Sequence, residues 1–240
     1  MRISSLLCSG AFALCAGSAA AEVVTLDGEV GSDTSAYHFV PSTPRGNNET
    51  LWAFSDPDEM HDFETFLRFD LPPEWLCSNV GVSQALLYFV YVLDSTPQGQ
   101  GTDEPGTLEC REVLEAWSEG TLTWTNKPDY GPPIDLFVDY LGSSEITELG
   151  ALACDVTDLV ADWVDCAAPN YGFAVTNPTG RLMGSYSFEA PVDPVFQPAL
   201  VVYLPEPGVG GAYVAVAGLG VLARWRGRRR RRRAARGGRA

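Results

Sequence analysis

The sequence predicts an all-β sandwich carrying one short helix. Three observations support that reading: short apolar or alternating runs, turn-forming clusters of Gly, Pro, Asn and Asp between them, and a single stretch of helical periodicity. A hydrophobic fraction of 45% with 20% charged residues is enough to bury a core and argues against a disordered or collagenous chain.

Strands are expected where β-branched and aromatic residues alternate with polar ones or run together. In chain order these are 23–26, 36–40, 50–54, 65–70, 85–93, 107–113, 122–124, 137–141, 172–175, 185–189 and 200–204. The run from Ala85 to Leu93 is the longest and reads as a central strand. The helix is expected over 155–165, where Val156, Leu159, Val160, Trp163 and Val164 fall on one face, with Asp155 as N-cap. No repeat of 20 to 50 residues and no internal linker interrupts 22–204, which therefore reads as one domain.

The charge is segregated. Of 16 basic residues, ten lie in the last seventeen positions and one, Arg2, is at the start. All 31 acids lie from Glu22 to Glu206, where five basic residues (Arg45, Arg68, Arg111, Lys127 and Arg181) oppose them for a net −26. Such a field repels polyanions, which excludes nucleic acid as a partner and disfavours anionic glycans unless divalent cations bridge them.

Both ends read as addresses. Residues 1–21 run from Arg2 through the uncharged Ile3–Ala16 to Gly17-Ser18-Ala19-Ala20-Ala21, the order of a secretory signal peptide, with signal-peptidase cleavage expected before Glu22. At the other end Val209–Ala223 is uncharged and apolar. Fifteen residues span about 22 Å as a helix, a marginal transmembrane segment against a ~30 Å hydrocarbon core. The arginines after it, Arg224 onward, hold that end in the cytoplasm and place the acidic domain outside. Pro205-Glu206-Pro207, the apolar helix and the basic terminus together resemble the PEP-CTERM sorting tail over residues 205–240. That resemblance implies an inner-membrane-anchored precursor, cleavage by an exosortase-type protease and release to the cell surface or extracellular matrix.

Removing Cys8 and Cys15 with the leader leaves Cys77, Cys110, Cys154 and Cys166, so two disulfides are expected in an exported domain. Four cysteines allow three pairings, and proximity along the chain favours Cys77–Cys110 and Cys154–Cys166. A zinc site is disfavoured by the lack of any C-x-x-C spacing.

A second resemblance covers Thr65 to Leu204. Thr65-Phe66-Leu67-Arg68-Phe69-Asp70-Leu71, Ala85-Leu86-Leu87-Tyr88, Trp117-Ser118-Glu119-Gly120-Thr121-Leu122-Thr123-Trp124-Thr125-Asn126-Lys127-Pro128, Asp155-Val156-Thr157 with Trp163, Asn170-Tyr171-Gly172-Phe173 and Tyr186-Ser187-Phe188-Glu189 occur in that order. The series resembles the DNRLRE-domain or carbohydrate-binding-module-like proteins, which implies a jelly-roll sandwich that recognises glycans, a polysaccharide or envelope glycan being the implied partner.

Individual residues then acquire candidate roles. Arg68 sits in an alternating apolar strand and needs a partner, Glu189 or Asp70, as an internal ion pair; the rival role is contact with sugar hydroxyls. Trp117, Trp124 and Trp163 are expected in the core, while Trp52 and Trp75 are the candidates for exposed rings that stack on a pyranose. Asp56, Asp58, Glu59 and Asp62 crowd one loop and form a candidate Ca²⁺ site without the spacing of an EF-hand; an ordinary solvated acidic surface is the rival reading. Asp27, Glu29 and Asp33 form a thinner acidic group. The chain carries no G-x-S-x-G and no H-E-x-x-H, so it is expected to be non-catalytic. The alternatives are a structural or adhesive matrix spacer without a small ligand, and a glycan-degrading enzyme.

Overall fold

The computed structural model describes residues 22–27, 31–55, 61–78, 80–91, 93–94, 106–139, 141–146, 150–179 and 182–205. The expected signal peptide, the C-terminal apolar segment, Glu206 and Pro207 lie outside them, as do Asp56, Asp58 and Glu59. Among the described residues no helix is long and apolar enough to cross a membrane.

Twelve strands are described: β1 (Glu22–Leu26), β2 (Gly31–Tyr37), β3 (Thr50–Ala53), β4 (Phe63–Phe69), β5 (Gln84–Tyr91), β6 (Leu93–Asp94), β7 (Glu109–Val113), β8 (Tyr130–Leu136), β9 (Gly150–Asp155), β10 (Phe173–Thr176), β11 (Met183–Tyr186) and β12 (Ala199–Leu204), with one helix, α1 (Thr157–Val164). They form a four-stranded sheet ordered β1-β12-β5-β9, a five-stranded sheet ordered β2-β4-β10-β7-β8 and a three-stranded sheet ordered β3-β11-β6, every pairing antiparallel. The fold is the all-β sandwich with one short helix that the sequence predicts.

Alternation builds the core. Leu67 and Phe69 of β4, Cys110 of β7 and Phe173 and Val175 of β10 meet Leu87 and Phe89 of β5, Leu152 and Cys154 of β9 and Leu200 and Val202 of β12. All nine of the largest contributors among these are essentially sealed from water, and burying such a side chain contributes roughly 1.5–3 kcal/mol each before entropy is counted. Helix α1 lays Leu159, Val160, Trp163 and Val164 on this core, with the Trp163 ring 4.9 Å from that of Phe173. Val156 occupies the N-cap position, one residue later than expected, and Asp155 still serves the helix start by accepting from the Thr157 N–H at 3.1 Å.

The disulfide pairing inferred from proximity is wrong. Cys77 is bonded to Cys166, 89 residues away, while Cys110 and Cys154 are buried thiols. The reason is topological: the turn after β4 comes back against the end of α1, where the Cys77 N–H donates to the Val164 carbonyl at 2.8 Å.

Several elements also depart from expectation. β2 starts five residues earlier than predicted, β8 and β9 are not among the expected strands, and the strand expected over 137–141 is reduced among its described residues to an isolated bridge from Val138 to Ala153. Leu122–Trp124 is no strand; Trp124–Asn126 forms a 3-10 turn in which the Asn126 carboxamide accepts from the Thr123 N–H and hydroxyl.

Candidate binding cleft

The five-stranded sheet has a second, outward face, and its two ends are treated differently. At one end the segment after β7 folds back, so that Trp117 and Leu122 cover Ala36, Phe66, Val113 and Ala174. The Trp117 indole N–H is satisfied by the Tyr171 carbonyl at 2.7 Å. At the other end the face stays open as a cleft of about 200 Å³, lined by Phe63 and Glu64 of β4, Glu109 and Arg111 of β7, Tyr130 of β8 and Thr176 of β10, with Phe54 and Asp62 from the β3–β4 connection.

Register explains the lining. Thr176 pairs with Glu109 and Ala174 with Arg111, so outward positions on neighbouring strands fall into rows. Arg111 is held by the Thr176 hydroxyl at 3.0 Å, the Gly131 carbonyl at 3.2 Å and the Glu109 carboxylate at 2.5 Å. Lys127 reaches in from the covering segment to bond Glu64 Oε1 at 2.6 Å, its ammonium 3.7 Å from the centre of the Trp124 ring. Tyr130 lies between the two cations, 5.4 Å from the Arg111 guanidinium and 5.7 Å from the Lys127 ammonium.

Tyr130 donates its hydroxyl to Glu64 Oε1 at 2.9 Å. Burial, then the neighbouring Glu64 charge, pushes the phenol's pKa up, so Tyr130 remains a neutral donor at any physiological pH. Glu64 Oε1 therefore has two donors, while its Oε2 is buried and has none. A buried carboxylate oxygen without a donor costs about 1–3 kcal/mol or more until something supplies one. Two cations and three carboxylates nearly balance here, in a domain that is otherwise strongly negative.

A second polar group gathers at the β2 edge of the same sheet. Asp33 is 1% exposed; its Oδ2 accepts from the Phe188 N–H at 2.7 Å, its carboxyl contacts Glu189, and Glu119 contacts Glu189 in turn. Arg68 stands beside them, donating to Ser32 at 3.3 Å and to the Trp117 carbonyl at 3.4 Å. Desolvation, aided by the Glu189 charge, pushes Asp33 up to about 9; the same two causes push Glu119 up to about 7.

The profile of carbohydrate-binding module family 96 matches residues 34–203, more than two-thirds of the chain. The chain belongs to that family. None of the curated proteins matches it.

Within this family 96 module the candidate residues read from sequence are dispersed. Trp75 is only 6% exposed and packs in the main core, so it presents no ring to a ligand. Trp52 is half-buried against Tyr37, Phe54, Phe63 and Leu182, its indole N–H given to Thr50 at 3.0 Å. Arg68 points to the outward face, not into the sandwich; its guanidinium lies 5.5 Å from the centre of the Trp117 ring and 3.7 Å from Asp70, one of the two partners expected. Asp62 lines the cleft, while the other three acids of its loop lie outside the described residues. Among the described residues, no group of three or more His, Cys, Asp or Glu is placed to hold a metal ion. Trp117 and Trp163 are buried as expected, and Trp124 is half-buried beneath Lys127.

Sequence reasoning missed the cleft itself. Glu64, the Glu109–Arg111 pair and Tyr130 come from three separate stretches of the chain, and their only local signal was the outward alternation around Arg111.

Proposed function

We propose that the module binds a neutral glycan in the cleft of the five-stranded sheet, without catalysing its cleavage. The observation that carries the reading is Glu64 Oε2, a buried acceptor on the cleft wall with no donor. A sugar hydroxyl would supply the missing hydrogen, and the Tyr130 ring beside it offers an apolar surface for the C–H face of a pyranose. The near balance of cleft charges and the −26 of residues 22–206 both favour an uncharged ligand. At about 200 Å³ the cleft is smaller than the ~300 Å³ at which enclosed ligand pockets begin. It would grip one sugar while the rest of the chain lies over open surface.

Titration of neutral oligosaccharides by calorimetry or on a glycan array tests this. Tyr130→Ala and Glu64→Gln should each weaken binding at least about tenfold, a loss of ~1.4 kcal/mol. Absence of binding to every neutral glycan at high protein concentration, or binding that both variants retain in full, rejects the cleft.

Export and sorting belong to the same reading. The module would be secreted by its leader, held by its apolar tail and released near Pro205-Glu206-Pro207 by an exosortase-type protease to the envelope or its matrix. In support, β1 begins at Glu22 opposite Leu204 of β12, so cuts before Glu22 and beyond Leu204 would leave both strands whole. Fractionation of the native host with mass measurement decides it: a full-length soluble cytoplasmic protein would overturn the sorting route.

A further inference from the structure

Cys110 and Cys154 are the two cysteines of the domain outside the Cys77–Cys166 bond, and they face each other. Each is 0% exposed; Cys110 sits on β7 of the five-stranded sheet and Cys154 on β9 of the four-stranded sheet. Both side chains belong to the same buried cluster between the two sheets, with Cys154 close enough to act directly on the Cys110 thiol. We propose that this pair forms a second disulfide, running from sheet to sheet and anchoring β7 behind the cleft.

Buried cysteines often serve only as small apolar side chains, and two of them scattered through a core would call for nothing more. Here the two remaining thiols of the domain have been brought together from strands 44 residues apart and on opposite sheets. Cys110 also lies between Glu109 and Arg111, whose side chains turn outward to line the cleft. A bond at Cys110 would therefore tie the strand that holds both of those residues to the opposite sheet.

The chemistry constrains when the bond forms. Burial pushes the Cys110 thiol well up, and Cys154 and Asp135 beside it add to that, so Cys110 offers almost no thiolate in the folded protein. Exchange must occur while the chain is still open, with a disulfide such as oxidised glutathione or a dithiol oxidase as the oxidant. The Cys110 thiolate attacks one sulfur of that disulfide and expels the other as a thiolate. The Cys154 thiolate then attacks the mixed-disulfide sulfur at Cys110 and expels the second thiolate. The oxidant takes two electrons and the two thiol protons, leaving one bond between Cys110 and Cys154. Once the core closes, the product is as inaccessible to reductants as the thiols are to oxidants.

The bond would form whether or not the cleft binds a glycan. The test refolds the full chain from denaturant in a glutathione redox mixture, then unfolds it again in excess iodoacetamide and maps each cysteine by peptide mass spectrometry. The expected result is a cross-linked 110–154 peptide pair, two hydrogens lighter than the dithiol, with neither residue alkylated. In Cys110→Ala, Cys154 should instead carry one label while Cys77–Cys166 persists. If that variant does not fold, the wild-type map alone decides. Alkylation of both Cys110 and Cys154 beside an intact Cys77–Cys166 bond, or a bond from either one to another cysteine, overturns the proposal.

Discussion

Replacing Asp33 by Asn should stabilise the domain above neutral pH and flatten its stability profile. An aspartyl group held near 9 in the folded state against an ordinary 3.8 binds its proton across that whole interval, whereas the unfolded chain releases it. Its raised pKa therefore gives a contribution fully present below about pH 3.8 and lost progressively as pH rises toward about 9. At ~1.4 kcal/mol per unit, the roughly three units between 3.8 and 7 amount to about 4 kcal/mol, a ceiling because Glu189 at the mouth of the group is exposed and screened. From pH 5 to pH 7 the change is about 3 kcal/mol. Glu119, pushed up to about 7, titrates with the same sign between roughly 4.5 and 7. In Asp33→Asn the amide oxygen still accepts from the Phe188 N–H, and the amide nitrogen offers Glu189 a donor in place of a second carboxyl. Urea unfolding at pH 5, 7 and 8.5, in EDTA so that no stray cation neutralises the group, should show the variant's advantage growing with pH. With a slope near 2–3 kcal/mol per molar, the midpoint at pH 7 should rise by about 1 M. Wild type and variant running parallel from pH 5 to 8.5 would refute the burial argument.

Other perturbations have equally definite outcomes. Gly172 has φ +89°, and a Cβ there would stand 2.1 Å from the Leu67 carbonyl oxygen, so Gly172→Ala should lower thermal stability by at least about 1–3 kcal/mol or prevent folding; an unchanged melting temperature contradicts the packing described. Cys166→Ser opens a closure of 89 residues and should cost about 2–5 kcal/mol in denaturant unfolding, read against the oxidised wild type. Trp163→Ala empties the space beneath α1 beside Phe173 and should cost about 3–5 kcal/mol, with near-ultraviolet circular dichroism reporting the loosened core.

The strands legible in the sequence are those whose side chains are sorted by face. β4, β5, β10 and β12 alternate or run apolar because one face meets the core, and α1 is plain from its five apolar positions. β8 was missed because Pro132 and Pro133 read as a turn; it lies at the edge of its sheet, where the missing N–H groups break no ladder. β9, with sequence GALACD, has small side chains of low strand propensity, yet its pairing with β5 places Leu152 and Cys154 in the core. β2 hides its burial behind polar residues: Ser35 and Thr65 satisfy each other at 2.9 Å. For the site, Trp75 was expected at the surface and lies in the core, because exposure depends on tertiary packing rather than on residue type. Likewise the cysteine pairing followed the chain, whereas the fold brings β7 to β9 and the β4 turn to the end of α1.

The two halves of the outward face show how one sheet divides stability from recognition. Where the covering segment folds over β4, β7 and β10, Phe66, Val113 and Ala174 become a second core and are sealed by Trp117. Its later part releases the face and contributes Lys127 to the cleft instead. Arg111 and Lys127, two of only five cations between Glu22 and Glu206, are both spent here, each against a carboxylate and near Tyr130. A free cationic cleft in so acidic a domain would collect polyanions at close range and repel them at long range. Paired cations instead fix the ring and the carboxylates in place without adding net attraction, and screening beyond a Debye length of ~8 Å removes most of the distant field. Recognition then rests on oriented hydrogen bonds and ring contact, so affinity for a neutral sugar should change little with salt, whereas a polyanionic ligand would bind more tightly as salt is raised toward screening.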